Sequence, residues 1–276
     1  MRKLDKERLD ILVVSSGLVK SREEARRMII AGEVLVDGVA ATKPGMRYPV
    51  ESLIELRPRS PRYVSRGGHK LEKGLEVFGV DVENKVAMDV GASTGGFTDC
   101  LLQRGAKRVY AVDVGKGQLA WQLRCDERVV VLEQTNFRYL ERSAIADSLD
   151  VITVDVSFIS LSKIAHKLHE FSSETTDLIV LVKPQFEVGP KLVGKKGVVR
   201  DAKTHVEALL SVFDSMKQSG LSPVSLTFSP ITGPQGNIEF LVHLKPGEHW
   251  SETVSDSDVE QCVAAAHRDL LGSQGV

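Results

Sequence analysis

Cysteine is scarce in this chain, and long apolar runs are absent. The three cysteines among the 276 residues are scattered, odd in number and form no Cys-x-x-Cys pair: Cys100, Cys125 and Cys262. This pattern indicates neither a disulfide framework nor a zinc site, and it fits a reducing compartment. The longest apolar runs, such as residues 178–182, fall far short of the roughly 20 residues that cross a bilayer. No secretory apolar segment follows the charged first ten residues. We therefore expect a cytoplasmic protein with no metal and no membrane partner.

The formal net charge of −1 conceals an uneven distribution along the chain. Residues 1–62 contain 13 Lys and Arg against 9 Asp and Glu, whereas the remaining residues contain 23 against 28. A basic front segment on a mildly acidic body favours a polyanionic partner for the front segment. A solvated surface of mixed charge would give the same numbers, so charge alone leaves both interpretations open.

The first 56 residues predict a small α+β unit. Two short helices are expected over residues 7–31, joined by a turn at Ser16-Gly17, and Gly32 ends the second helix. The pair Asp37-Gly38 lies between two apolar segments, which is a strong β-hairpin signal. Residues 52–56 predict a last short strand.

A linker is predicted after this unit. Residues 57–62 contain two prolines and three arginines, which disfavour a helix and a central strand. The predicted domains are residues 1–58 and 65–276, with the linker over residues 59–64.

The rest of the chain alternates between strand-like and helix-like segments. Seven strands are predicted, over residues 85–90, 108–114, 129–133, 151–156, 178–183, 224–228 and 238–244. Helical patterns cover residues 65–79, 97–104 and 202–220. This alternation predicts an α/β fold with a mostly parallel sheet covered on both faces. Pro234-Gln235-Gly236-Asn237 is typical of a hairpin turn, so the last strand is expected to be antiparallel.

A glycine-rich loop follows the first of these strands, in Asp89-Val90-Gly91-Ala92-Ser93-Thr94-Gly95-Gly96. Such a loop lets the backbone approach a ligand closely. No lysine follows as in a P-loop, and the spacing is not Gly-x-Gly-x-x-Gly. Asp89 suits a ligand that carries a cation, and Asp113, at the end of the next strand, suits ribose hydroxyls. The pattern favours S-adenosylmethionine over NAD, although an NAD-dependent enzyme stays an alternative. The predicted cofactor-binding residues are Asp89, Gly91, Ser93, Gly95, Gly96, Asp113, Asn136 and Phe158.

Three motifs occur in a fixed order: Asp-Val-Gly-Ala-Ser-Thr-Gly-Gly-Phe-Thr, Val-Asp-Val-Ser-Phe-Ile-Ser and Leu-Val-Lys-Pro-Gln-Phe-Glu. Together they resemble the TlyA-type proteins, FtsJ-like rRNA 2'-O-methyltransferases that were first named hemolysins. Residues 8–56 resemble the RNA-binding domain named after ribosomal protein S-four. The resemblance implies a Rossmann-like methyltransferase domain with a seven-stranded sheet and S-adenosylmethionine as the cofactor. It also implies ribosomal RNA or a ribosomal subunit as the partner, with a cytidine ribose as the target.

The resemblance further implies a Lys-Asp-Lys-Glu tetrad, which falls on Lys70, Asp155, Lys183 and Glu239. A ribose hydroxyl becomes a good nucleophile when it gives up its proton, and a neutral lysine amine can accept that proton. Burial and a second nearby cation both disfavour the ammonium form of a lysine. Our hypothesis is that Lys183 is the general base or orients the hydroxyl, while Lys70 assists it and contacts an RNA phosphate. Asp155 and Glu239 would orient the two amines.

Basic residues near the second helix are candidates for sequence-independent phosphate contacts. The predicted RNA-binding residues are Lys20, Arg22, Arg26, Arg27, Lys43, Arg47 and Arg66. Arg59, Arg62 and Arg66 are expected to help couple the two domains. A membrane-active hemolysin and a non-catalytic RNA-binding regulator remain alternatives, and the oligomeric state is open.

Overall fold

The computed structural model describes residues 5–56, 62–194, 196–247 and 253–272, and of Lys191 the backbone alone. The chain separates into two compact units, residues 1–62 and 63–276. Residues 59–61 of the predicted linker, Arg59 among them, lie outside the described residues, and the predicted domain limits stay a prediction.

The described residues of the first unit form two helices and five short strands. In chain order these are β1 (Lys6–Arg8), α1 (Leu9–Ser15), α2 (Arg22–Ile30), β2 (Val34–Val36), β3 (Val39–Ala41), β4 (Arg47–Pro49) and β5 (Ile54–Leu56). The strands form two small sheets, β1-β4 and β3-β2-β5. A compact core lies between the helices and the sheet, and its fully buried members include Leu9, Val13, Ala25, Ile29 and Val34.

Local signals explain the ends of these elements. The Ser21 side chain accepts a hydrogen bond from the Glu24 N–H and so caps α2. Gly32, at φ +71°, follows the end of that helix in the left-handed conformation. Asp37 and Gly38 both have positive φ, which makes the predicted hairpin between β2 and β3. The strand pair β1 and β4 was not predicted, because each strand is only three residues long and neither shows an apolar pattern.

The second unit is built on a seven-stranded sheet in the order β11-β12-β10-β9-β6-β7-β8. Its strands are β6 (Val86–Val90), β7 (Arg108–Val112), β8 (Val129–Leu132), β9 (Val151–Val154), β10 (Asp177–Val182), β11 (Leu221–Phe228) and β12 (Phe240–Pro246). Its α-helices are α3 (Gly67–Phe78), α4 (Gly96–Gln103), α5 (Trp121–Arg124), α6 (Ala165–Phe171), α7 (Pro184–Glu187), α8 (Ala202–Gln218) and α9 (Asp256–Leu271). The sheet is mostly parallel and the last strand is antiparallel, which confirms the predicted fold class.

Apolar side chains cover both faces of this sheet. The central strands β9 and β10 are almost wholly apolar and buried, as expected for strands that helices cover on both sides. Among the described residues, one core cluster includes Ile152, Val180 and Phe213, and the other includes Leu71, Leu101 and Ile179. The sheet thus provides a rigid platform whose strand ends can hold a site.

The strand ends that matter lie at one edge of the sheet. Val90 pairs with Val154, and Val180 pairs with Val154 from the other side, so β6, β9 and β10 end near one another. Because β12 runs antiparallel to β10, its first residue, Phe240, pairs with Val182, the last residue of β10. The start of β12 therefore joins the carboxyl ends of the parallel strands.

Two details differ from the sequence-based predictions. Strand β12 begins at Phe240 rather than at residue 238, so Glu239 precedes the strand. Helices α6 and α9 were not predicted, although α9 begins with a capping box formed by Ser255 and Asp258. Within the described part of the chain, none of the helices combines the length and the apolar character needed to span a membrane.

Candidate active site

The glycine loop after β6 approaches the neighbouring strand end very closely. Gly91 has φ +86°, and a Cβ at this position would lie 2.6 Å from the carbonyl oxygen of Asp155. The Gly91 and Ala92 N–H groups both donate to the Val112 carbonyl, which ties the loop to β7. Glycine is therefore required at position 91, because any side chain would push the ends of β6 and β9 apart.

A cavity of about 450 Å³ opens beside this loop, a volume in the usual range for small-molecule sites. The ends of β6, β7 and β9 form its walls. Its lining residues include Gly91, Ser93, Asp113, Val114, Gln118, Asn136, Phe137, Arg138, Asp155, Val156 and Phe158. The cavity combines apolar walls with a few polar groups, and five predicted cofactor-binding residues line it: Gly91, Ser93, Asp113, Asn136 and Phe158. We call it the first cavity.

Asp113 organises one wall of the first cavity. Its two carboxylate oxygens accept hydrogen bonds from the Ser93 N–H at 2.8 Å and the Gly115 N–H at 2.7 Å. The same carboxylate lies at the end of β7 and lines the cavity, where an acid can accept hydrogen bonds from ribose hydroxyls.

Glu133, which the sequence analysis did not single out, holds the segment after Asp113. Its carboxylate accepts hydrogen bonds from the N–H groups of Gly117, Gln118 and Leu119, and it pairs with Arg124. The Gly117 hydrogen bond and the Arg124 guanidinium lower the pKa of Glu133 to about 2. The sequence signal for this role is an acid directly after β8. The structure shows that this acid faces three consecutive backbone N–H donors.

Three predicted cofactor-binding residues, Asp89, Gly95 and Gly96, do not line the first cavity, and their contact with a ligand stays a prediction. Asp89 is fully buried and accepts hydrogen bonds from the Thr98 N–H at 2.9 Å and the Thr98 hydroxyl at 2.7 Å. Burial raises the pKa of Asp89 to about 7, partly offset by the Thr98 hydrogen bonds. Its carboxylate fixes the start of α4 to the end of β6.

The other two residues are glycines. A Cβ on Gly95 would lie 2.3 Å from the Leu123 side chain, and one on Gly96 would lie 2.2 Å from the Ser65 hydroxyl. Gly95 is therefore needed for packing. Gly96 lines a second cavity rather than the first.

The four predicted tetrad residues all line this second cavity, which we call the tetrad cavity. It also measures about 450 Å³. Lys70 Nζ lies 2.5 Å from Glu239 Oε2, although the two residues are 169 positions apart in the chain. Lys183 Nζ lies 2.6 Å from Asp155 Oδ1 and donates a hydrogen bond to the Ser157 hydroxyl at 2.8 Å. Each lysine thus faces a carboxylate, and Gly91, Ser93, Asp155 and Ser157 line both cavities.

Burial gives this centre its electrostatic character. Lys70, Lys183 and Glu239 are less than 10% exposed as whole residues. Burial raises the pKa of Glu239, and the charge of Lys70 opposes that rise. Because charges are costly to bury unless they are paired, the Lys–carboxylate pairs keep the amines at fixed positions in this largely buried site.

Ser157 is a member of this centre that the sequence analysis missed. It stands two residues after Asp155 in the Val-Asp-Val-Ser motif, on the loop that follows β9. Its position in that motif, directly after a strand end, could have indicated it.

The predicted RNA-binding residues fall into two groups. Lys20, Arg22, Arg26, Arg27, Lys43 and Arg47 are exposed on the first unit. Arg22, Arg26 and Arg27 share one shallow surface depression on α2. The buried carboxylate of Asp10 lies 2.9 Å from the Arg22 guanidinium and 3.0 Å from that of Arg8, so it fixes two arginines of this unit. Arg66 belongs to the second unit, where it lines the tetrad cavity.

A parallel sheet with a glycine loop, an acidic strand end and a cavity at its carboxyl edge defines an α/β enzyme that binds a nucleoside-type ligand. Comparison with known proteins gives the family. The model of the FtsJ-like methyltransferases matches residues 63–246, and that of the S4 domain matches residues 7–54. The chain belongs to the FtsJ-like methyltransferases and carries an S4 domain, which confirms the resemblance inferred from the motifs.

The chain is similar to several proteins over most of its length. It is 48% identical to a Bacillus subtilis protein named "Putative rRNA methyltransferase YqxC", over 96% of this chain and 95% of that protein. It is 44% identical to the "16S/23S rRNA (cytidine-2'-O)-methyltransferase TlyA" of Mycobacterium tuberculosis, over 86% of this chain and 89% of that one. A solved structure named "Putative hemolysin from Streptococcus thermophilus" shares 42% identity at a TM-score of 0.75, and the match covers 99% of this chain and 100% of that chain.

Proposed function

We propose that the protein transfers a methyl group from S-adenosylmethionine to the 2'-hydroxyl of a ribose in ribosomal RNA, with a cytidine as the target. One observation carries this proposal: the tetrad cavity and the first cavity share Gly91 and Asp155, so a donor in one lies next to an acceptor in the other. The name of the M. tuberculosis relative supports the choice of the ribose hydroxyl and of cytidine.

The first cavity fits the chemistry of the cofactor. Asp113 can accept hydrogen bonds from the ribose hydroxyls, and the apolar side chains of Val114 and Phe137 can enclose a heterocycle. Gly91 lines this cavity with backbone atoms alone. S-adenosylmethionine, when bound, supplies a methyl group made electrophilic by a sulfonium.

The tetrad cavity provides groups that can prepare a hydroxyl. Lys183 Nζ is held by Asp155 on one side and by the Ser157 hydroxyl on the other, which restricts the amine to one position. In the proposed reaction this amine, in its neutral form, takes the proton of the 2'-hydroxyl or orients that hydroxyl. Lys70, held by Glu239, lies at the same cavity and can contact the RNA phosphate. Fixed alignment of the reacting atoms would supply most of the rate.

The S4 domain supports RNA as the substrate. Its exposed lysines and arginines suit contacts with phosphates, which do not depend on the base sequence. Their proposed role is to hold the enzyme on the phosphate backbone. Arg66, at the rim of the tetrad cavity, would contact the RNA close to the target nucleotide. These roles rest on charge, exposure and position.

Replacement of Lys183 by alanine tests the proposal. We expect the Lys183→Ala variant to lose methyl transfer to ribosomal RNA by about 10²-fold or more, because the group that prepares the hydroxyl is gone. The measurements are transfer of labelled methyl from S-adenosylmethionine, mapping of 2'-O-methyl sites, and calorimetric titration of the cofactor. Lys217→Ala, at an exposed position on α8, is the matched control and should keep wild-type activity.

Three results would count against the proposal. Wild-type transfer by Lys183→Ala with unchanged cofactor affinity would remove Lys183 from the reaction. Absence of methyl transfer by the wild-type protein to ribosomal RNA, to either subunit and to whole ribosomes would favour a non-catalytic RNA-binding role. Leakage of liposomes caused by the pure protein would favour the hemolysin alternative.

A further inference from the structure

The loop between β9 and the turn at Leu161–Lys163 lies at both cavities. It supplies Asp155 and Ser157 to the tetrad cavity and Val156, Phe158 and Ile159 to the first cavity. We call residues 155–161 the motif loop. Its position therefore decides where the Lys183 amine and one wall of the cofactor cavity lie.

Leu161 anchors the end of the motif loop in the core, and Val156 and Ile159 pack against that core, but the middle of the loop is exposed. Ser157 and Phe158 are exposed, and Phe158 is 91% exposed. Phe158 also has φ +64°, a conformation that is unfavourable for a residue with a bulky side chain. A strained and exposed loop needs contacts from elsewhere in the protein to hold one conformation.

The segment that begins at Lys183 provides these contacts. Glu187, at the end of α7, accepts a hydrogen bond from the Ser160 hydroxyl at 2.7 Å and another from the Leu161 N–H at 3.0 Å. The ring of Phe186 lies 5.1 Å from that of Phe158. Both oxygens of the Glu187 carboxylate thus accept hydrogen bonds from residues at the far end of the motif loop.

The contacts close a ring of interactions. At one end of the segment, Lys183 contacts Asp155 and Ser157, near the start of the motif loop. At the other end, Glu187 contacts Ser160 and Leu161, at the end of the same loop. A short helical turn, α7, separates Lys183 from Glu187 by a fixed distance, because Pro184 begins the turn and the Val188 N–H closes it on the Pro184 carbonyl.

We propose that Glu187 is a positioning residue for methyl transfer, which holds the motif loop so that Asp155 and Ser157 keep the Lys183 amine in place. This inference rests on the proposed function of the tetrad cavity. Glu187 lines neither cavity and acts through the loop.

The environment of Glu187 fits this role. The side chain is partly buried, and burial raises the pKa of its carboxyl group, against the opposing effect of the hydrogen bonds from Leu161 and Ser160. A partly buried carboxylate is stable only while its hydrogen bonds are intact. Loss of the loop conformation would leave the Glu187 carboxylate partly buried without its hydrogen-bond donors, which is unfavourable.

Hydrogen exchange on the full chain tests the positioning directly. In Glu187→Ala, we expect the amides of residues 155–161 to exchange at least about tenfold faster, corresponding to about 1.4 kcal/mol of lost protection. Glu187→Gln, which keeps one acceptor oxygen, should recover part of the protection. Glu170→Ala, an exposed glutamate of the same unit, is the matched control and should leave the loop unchanged.

Single-turnover methyl transfer at saturating S-adenosylmethionine and ribosomal RNA tests the consequence for the reaction. We expect a rate about tenfold lower in Glu187→Ala, an intermediate rate in Glu187→Gln, and a smaller loss in Ser160→Ala, which removes only one of the two hydrogen bonds. A merely structural role would lower the melting temperature without this graded change in the rate of the folded enzyme.

Two outcomes overturn the inference: unchanged exchange of residues 155–161 in Glu187→Ala, or a single-turnover rate within twofold of the wild type. Failure of the proposed function would look different, because the wild-type protein itself would then transfer no methyl group. The exchange measurement still decides in that case whether Glu187 holds the loop.

Discussion

Gly91 sits where two strand ends come closest. The carbonyl of Asp155 lies against the Gly91 Cα, and the backbone there is left-handed. A single methyl group at this position would therefore act on two parts of the site at once. It would displace the glycine loop of the first cavity, and it would displace the residue whose carboxylate holds Lys183.

We predict that Gly91→Ala weakens S-adenosylmethionine binding by about tenfold or more, because the new Cβ cannot occupy a place 2.6 Å from a backbone oxygen. Calorimetric titration measures this loss. The control is Gly79→Ala, also at positive φ but with open space around the Cβ. It should cost about 1 kcal/mol of stability and leave cofactor affinity unchanged. Equal affinities in the two variants would contradict the steric argument.

At this scale the sequence predicted part of the site. The neighbouring sequence indicated that four site residues lie at the ends of strands: Gly91, Asp113, Asp155 and Lys183. The role of Asp89 could not, because its partner Thr98 lies nine positions away and only the fold shows that the carboxylate points toward it. The Lys70–Glu239 pair joins distant parts of the chain, so only the family resemblance indicated it.

Helices α8 and α9 meet through a pair of histidines. His205 is fully buried, and its Nδ1 lies 2.9 Å from His267 Nε2. Burial, together with the nearby His267, lowers the pKa of His205 to about 4. The unfolded chain takes up this proton below about pH 6.5, whereas the folded protein does so only near pH 4. Acidification across that window therefore favours unfolding.

We predict that the free energy of unfolding falls by up to about 3 kcal/mol between pH 7 and pH 4 through His205 alone. The His205→Gln variant should lack this component, so its stability should decline less with acid than that of the wild type. Urea unfolding at several pH values measures the difference. Other titrating groups are common to both proteins and cancel. His166→Gln, at an exposed position, should follow the wild type. Parallel pH profiles for His205→Gln and wild type would contradict the prediction.

The success of the secondary-structure prediction depended on the length and the apolar pattern of each element. The seven strands and the long helix α8 have clear apolar patterns and were found to within a few residues. Helix α9 was missed, although Ser255 and Asp258 form a capping box before apolar residues at helical spacing, Val259, Val263 and Ala266. Strands β1 and β4 lacked any such signal, because β1 consists of three charged residues and β4 is only Arg47-Tyr48-Pro49.

The two units of the molecule differ in charge and in their proposed tasks. The basic front residues belong to the S4 domain, whereas both cavities are formed by residues of the methyltransferase unit. Binding of RNA and binding of the cofactor should accordingly respond to different changes.

We predict that removal of residues 1–60 weakens RNA binding and leaves cofactor binding intact. For the full chain, about four phosphate contacts would give a log–log salt dependence with a slope near −3. Filter binding at several salt concentrations measures the slope, and calorimetry measures cofactor affinity. Arg22→Ala should reduce the magnitude of the slope by about 1 without changing cofactor affinity. Loss of both activities on truncation would instead make the front unit a folding appendage.

The place of β12 in the sheet also affects how the protein is made. Strand β10 is an apolar run whose backbone groups on one side pair with β12, and β12 is synthesised only after α8 and β11. Until Phe240–Pro246 leaves the ribosome, β10 is an open apolar edge of the kind that recruits other chains. Glu239 arrives just before the same strand, so the nascent chain completes its sheet and the predicted tetrad in one late step.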